Sequence, residues 1–270
     1  MKSIISFLVY TNIWVAFCVL GLALSTEILL GSTNFDISKF VFLCTIFTYN
    51  FQRVIRVNKE GEHPRRSWLA KNRRLVHFLM LFSGGFSLYI FFDFSVITQL
   101  FIILLGILCF LYPFTLRRIP FIKIVVIALV WSTTTMLLLT LENNIIISVN
   151  EILHLVARFF FVFAITIPFD IKDLDYDIKN IITIPLFFGI RRSKLIASFL
   201  LFISILIAAF QYNTSCLILA HLLALILLYF TALVFVWRSD EKKKEMYFAF
   251  WGEGLSICAY LFLVISLLIS

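Results

Sequence analysis

The chain has 270 residues, 62% of them hydrophobic and 14% charged, with a net charge of +8 and a mean hydropathy of +1.03. Soluble domains hold roughly 45–50% apolar and about 25% charged residues, so this composition does not fit a soluble fold and calls for lipid as the solvent. Nor does the positive charge point to nucleic acid, because it is gathered in a few loops between apolar runs, which is a pattern of membrane orientation.

In chain order, the apolar runs predict about nine transmembrane helices, at 4–29, 37–55, 75–93, 97–115, 120–141, 151–170, 194–211, 215–237 and 246–269. Each is close to the ~20 residues that cross a bilayer core. Turn-rich breaks separate them: Gly31-Ser32-Thr33-Asn34, the run from Asn58 to Arg74, Pro113, Pro120, Glu142-Asn143-Asn144 and Ser239-Asp240. The expected fold class is all-α, a polytopic bundle forming one domain over residues 1–270 with no soluble domain and no obvious repeat. The run from Lys2 to Leu30 exceeds a signal-peptide core and lacks a small-residue cleavage pattern, so it reads as a retained first span.

The distribution of Lys and Arg tests this parse independently. After span two lie Arg53, Arg56, Lys59, Arg65, Arg66, Lys71, Arg73 and Arg74, and after span four lie Arg117, Arg118 and Lys123. Lys172, Lys179, Arg191, Arg192 and Lys194 follow span six, and Arg238, Lys242, Lys243 and Lys244 follow span eight. These are 20 of the 23 basic residues; Lys2, Lys39 and Arg158 lie elsewhere. The positive-inside rule then puts the N-terminus and the loops after even-numbered spans in the cytoplasm, with a bacterial inner membrane as the expected setting. The five cysteines fall inside apolar runs without C-x-x-C spacing and read as small hydrophobes.

Chemistry is expected where span six ends, at Pro168-Phe169-Asp170-Ile171-Lys172-Asp173-Leu174-Asp175-Tyr176-Asp177. If the helix continues, Asp170, Asp173 and Asp177 form one stripe, whose mutual repulsion invites a cation such as Mg²⁺. The alternative is a solvated helix end partnered by Lys172 and Lys179. The basic loop after span two reads either as topology and lipid attraction or as an anion site, in which Arg53 and Arg56, three residues apart, address one phosphate. Tyr112-Pro113-Phe114-Thr115-Leu116-Arg117-Arg118 forms a third polar segment on the same side. Arg158, His77, His154 and His221 either line a cavity or have structural partners.

These residues resemble the UbiA superfamily of intramembrane prenyltransferases, a nine-helix family with two Asp-rich motifs after helices two and six. Ile167 through Asp177, continuing to Ile184-Pro185-Leu186-Phe187-Phe188-Gly189, looks like the second motif, and Tyr112 through Arg118 is similar to the family's Tyr-Ser-x-x-x-Lys-Arg segment. The first motif, N-D-x-x-D-x-x-x-D, corresponds to Asn50-Phe51-Gln52-Arg53-Val54-Ile55-Arg56-Val57-Asn58, which keeps Asn50 and lacks the aspartates. The resemblance implies transfer of a prenyl group from a prenyl diphosphate to an aromatic or lipid acceptor, with Mg²⁺ as cofactor. It implies Asp170, Asp173 and Asp177 as ligands of a single metal ion, and Asp173, Asp177 and Tyr112 as catalytic residues. Asn50, Arg53, Arg56, Arg117 and Arg118 are the expected diphosphate-binding set. A second reading keeps the cavity but not the chemistry, leaving a protein that binds an isoprenoid or quinone-like lipid. A transporter would instead predict paired helix-breaking repeats, which the sequence lacks.

Overall fold

In lipid, every backbone N–H and C=O must find its partner inside the protein, which favours helices throughout. The computed structural model describes residues 2–32, 34–57, 64–174 and 181–269, and among these it contains helices, turns and no strand. The helices in order are α1 (Lys2–Tyr10), α2 (Ile13–Leu30), α3 (Asp36–Val57), α4 (Pro64–Lys71), α5 (Arg73–Phe91) and α6 (Val96–Leu111). After a 3₁₀ turn at Leu116–Arg118 come α7 (Ile122–Glu142), α8 (Val149–Lys172), the short α9 (Ile184–Phe188), α10 (Ile190–Asn213) and α11 (Leu219–Arg238). The last, α12, begins as a π-helix at Tyr247–Gly252 and runs on through Glu253–Ile269.

Among the described residues seven helices are long and apolar enough to cross a membrane: α2, α5, α7, α8, α10, α11 and α12. The two other expected spans are present as helices that fall short of that standard. The α6 helix is apolar but shorter, and α3 ends in Gln52, Arg53 and Arg56. The span expected at 4–29 is divided. Asn12 stands between α1 and α2 in the left-handed region at φ 60°, a conformation asparagine tolerates better than most residues. The helix that carries Asp170 stops at Lys172, and Asp173 caps it at φ −89°, ψ 8°.

Local sequence explains other boundaries. Ser148 and Glu151 form a reciprocal capping box that starts α8, and Ser95 caps α6 by accepting from the Thr98 N–H. A π-helical turn at Thr133–Leu137 interrupts α7. On α2, a Cβ added to Gly21 would stand 3.0 Å from the Ile257 Cα of α12, so the small residue lets these two backbones approach closely.

Cross-helix hydrogen bonds define two ends of the bundle. Gln52 donates to the Cys109 carbonyl at 3.0 Å, and the Phe121 N–H donates to the Ile182 carbonyl at 3.1 Å. These bonds join the ends of α3 and α6, and the turn before α7 to the segment after α8. At the other end Ser32 donates to Asn143 at 2.9 Å, and Gln211 donates to the Asn150 carbonyl at 3.0 Å.

Candidate functional site

A cavity of about 160 Å³ lies between α3, α6 and α7 and reaches α2. Val41, Thr45, Tyr49 and Gln52 line it from α3, at the three- and four-residue intervals that keep side chains on one helix face. On α7 the lining residues include Val126, Val130, Trp131 and Thr134. Apolar side chains dominate, and the polar groups that enter are tied to the wall: the Trp131 indole donates to the Tyr49 hydroxyl at 3.0 Å. Tyr112, buried at 6% exposure, closes the wall beside the basic turn.

Above this cavity the α7 stripe continues to Lys123, three and four residues before Val126 and Ile127 and so on the same helix face. Lys123 lies against the end of α8. Its ammonium is 2.7 Å from Asp170 Oδ1 and 3.8 Å from Asp173 Oδ2. Lys172 Nζ donates to Asp173 Oδ1 at 3.1 Å. The Asp170 side chain is only 2% exposed and that of Asp173 34%, so the first carboxylate belongs to the interior and the second to the mouth. Burial by itself would push the Asp173 pKa up, but the Lys123 and Lys172 ammoniums and the Arg117 guanidinium hold it below the ordinary carboxylate value.

The expected Mg²⁺ ligand set can be tested against these contacts. Asp170 is in an ion pair with a buried lysine, and Asp173 is shared between two lysines. A metal ion at Asp170 would have to displace an ammonium from a desolvated position. Among the described residues no group of three or more His, Cys, Asp or Glu side chains is placed to hold a metal. Asp177, the third expected ligand, lies outside the described residues. The described acidic residues therefore do not fit a Mg²⁺ held by Asp170.

The other expected residues divide by position. Asn50 is fully buried, and its amide is engaged within the protein: it accepts from Asn12 Nδ2 at 2.9 Å and donates to the Thr11 and Ile46 carbonyls, each at 2.9 Å. The bonds to Asn12 and Thr11 hold the left-handed turn between α1 and α2. Arg53 donates from Nη1 to the Tyr10 carbonyl at 3.1 Å, linking α3 to the end of α1. Arg56 sits four residues beyond Gln52 on α3, while its side chain and that of Arg118 are outside the described residues. Arg117, in the 3₁₀ turn, has its N–H bonded to the Tyr112 carbonyl at 3.1 Å.

Arg158 has structural partners. Its guanidinium donates to the Leu22 carbonyl at 2.8 Å and to the hydroxyls of Ser25 and Thr26 at 3.0 and 3.1 Å, joining α8 to α2. His154 Nε2 lies 3.4 Å from the same guanidinium, and the His77 ring pairs with the Arg73 carbonyl one turn earlier. Sequence reasoning placed Lys123 among the loop cations and missed its position against Asp170. The available signal was a lysine standing at the head of an otherwise apolar run, since ionisable groups at such depths tend to have a partner.

Comparison with known proteins gives two kinds of match. The family model described as the UbiA prenyltransferase family matches residues 63–253. Among solved structures, an apo UbiA homologue from Aeropyrum pernix K1 superposes with a TM-score of 0.68 at 13% identity, covering 96% of this chain and 97% of that one. A UbiA homologue from Archaeoglobus fulgidus bound to DMAPP and Mg²⁺ gives 0.68 at 14% identity, covering 97% and 98%. A structure of a digeranylgeranylglyceryl phosphate synthase gives 0.63 at 11% identity over 100% of both chains. No curated protein matches the chain in sequence.

Proposed function

Because the chain belongs to the UbiA prenyltransferase family, we propose that it transfers a prenyl group from a prenyl diphosphate to a hydrophobic acceptor, aromatic or lipid, inside the membrane. The observation that carries this reading is the α7 face, on which the residues lining an apolar cavity are preceded, one turn earlier, by Lys123 in its ion pair with Asp170. Such a site matches a molecule with a hydrocarbon tail and a polyanionic head. Homologues of the same fold bind GPP or DMAPP with Mg²⁺.

In the transfer, the bond between the allylic carbon and the diphosphate oxygen breaks with its electron pair leaving on the diphosphate. The allylic carbon bonds to the acceptor, whose proton passes to the released diphosphate. Fixed cations at the mouth, Lys123 and Arg117, neutralise the charge that develops on the leaving group, the electrostatic role that carries most such reactions. The Tyr112 ring at the cavity wall offers a π-surface for the developing allyl cation. Asp173, kept ionised by its cationic neighbours, is a weak base and serves to orient Lys123 and Lys172 rather than to take the acceptor's proton. Mg²⁺ would add Lewis-acid neutralisation of the diphosphate, but the described acidic residues, already paired with lysines, fit it poorly. The positive-inside pattern supports a mouth that faces the cytoplasm, with a bacterial inner membrane as the proposed setting.

The experiment is an assay of purified protein with radiolabelled prenyl diphosphates, with and without Mg²⁺, followed for diphosphate release and labelled lipid. Repeated turnover with labelled lipid supports transfer. The replacement of the first-motif carboxylates, with Asn50 turned to structural bonds, favours the second reading, a protein that only binds an isoprenoid lipid. Saturable binding of the diphosphate with no release would decide for it.

A further inference from the structure

Building on the reading of the mouth as a prenyl diphosphate site, we infer that the Lys123 ammonium is the resident cation of the second acidic stretch, and that the diphosphate is bound there by Lys123 and Arg117 without Mg²⁺. Four observations support it. Lys123 Nζ is 2.7 Å from Asp170 Oδ1 and 3.8 Å from Asp173 Oδ2, a bridging position between two carboxylates. The pair is desolvated, with side-chain exposures of 11% for Lys123 and 2% for Asp170, so a second cation brought to Asp170 would meet the ammonium at close range in a weakly screening medium.

Charge gives the third observation. Around the two carboxylates of Asp170 and Asp173 stand three cations, Lys123, Lys172 and Arg117, so this cluster of described residues carries a net charge of +1. Among these five side chains the balance favours an anion over a divalent cation. The fourth is register: Lys123 heads the helix face whose next turns line the cavity, at a rise of about 6 Å over four residues. An amphiphile with its tail in the cavity thus brings its head to the lysine. An ammonium has three N–H donors, so it can hold a carboxylate while bonding to a phosphate oxygen. Asp170 acts through Lys123 as its positioning residue. Loss of the first-motif aspartates is consistent with the same substitution of fixed cations for metal, since Arg53 stands in that segment.

The test is equilibrium binding of GPP to the full-length protein in lipid nanodiscs, in excess EDTA and in excess Mg²⁺. The expected result is saturable binding in EDTA within about threefold of that in Mg²⁺. The double variant Lys123→Met, Asp170→Asn removes both charges of the buried pair together, which avoids stranding one of them, and should weaken binding in EDTA by about tenfold, the loss of one charge-assisted hydrogen bond. Lys123→Arg should keep most of the affinity. Binding that needs Mg²⁺ overturns the lysine inference and leaves the prenyl donor reading standing, as does unchanged affinity in a double variant whose melting curve shows it folded. Absence of saturable GPP binding in both conditions overturns the donor reading itself.

Discussion

At the scale of single residues, this protein turns on where its charges are buried. Asp170 and Asp173 were legible as an acidic stretch, but their partner was not. Nothing local in the sequence ties Lys123 on α7 to a carboxylate on α8, because that contact exists only once the two helices pack. Asn50 shows the converse: its position in a familiar motif suggested a ligand, whereas two of its three hydrogen bonds hold a left-handed turn between two helices. Asp173 carries a pH prediction. Its folded pKa lies below the ordinary 3.8, so its contribution to stability is complete above that value and is lost as pH falls through the folded value. Unfolding of the detergent-solubilised protein, scanned from neutral pH to about pH 3, should show an acid limb that is shallower in Asp173→Asn. An identical limb in the two proteins would contradict the ion pairs drawn around this carboxylate.

At the scale of elements, hydropathy located helices well and their interruptions poorly. Runs of apolar residues are sufficient to announce a helix in lipid, so α5, α7, α8, α10, α11 and α12 stand within a few residues of their expected bounds. Interruptions depend instead on long-range partners, as at Asn12, or on how a helix end is capped, as at Asp173. Arg158 illustrates how elements are joined, since one guanidinium bonds a carbonyl and two hydroxyls of α2. A lysine keeps the charge but not the planar fork that reaches all three. Arg158→Lys should therefore lower the unfolding free energy by about 1–3 kcal/mol, the range for a lost hydrogen bond to a charged group, while GPP affinity stays within about twofold. A large loss of affinity with unchanged stability would mean that Arg158 belongs to the ligand site.

At the scale of the whole molecule, the one-sidedness of the basic loops was the clearest message of the sequence. In the structure Gln52 meets Cys109 and Lys123 meets Asp170, so the ends of α3 and α6, the start of α7 and the end of α8 lie at one end of the bundle. The orientation that the charge pattern predicts can be measured with native chemistry. Cys216 is exposed in the turn between α10 and α11, while Lys242 lies in the basic turn after α11, one span away. A membrane-impermeant maleimide added to intact cells should label Cys216, and a cysteine introduced as Lys242→Cys should react only after permeabilisation. Labelling in the reverse order would invert the topology and place the site mouth on the outer face.

The π-helical turn at Thr133–Leu137 bears on how such a site could be retuned. A π turn amounts to one residue inserted into an α-helix, and removing it would rotate everything above it by about 100° against the lower half of α7. The rotating part would carry Lys123, Val126, Val130 and Trp131 together, because all four stand on the same stretch of helix before the turn. Lys123 and the cavity-lining residues before the turn thus move as one part. Substitutions can adjust either separately, but an insertion or deletion at the turn moves Lys123 and these lining residues at once against α3 and α8.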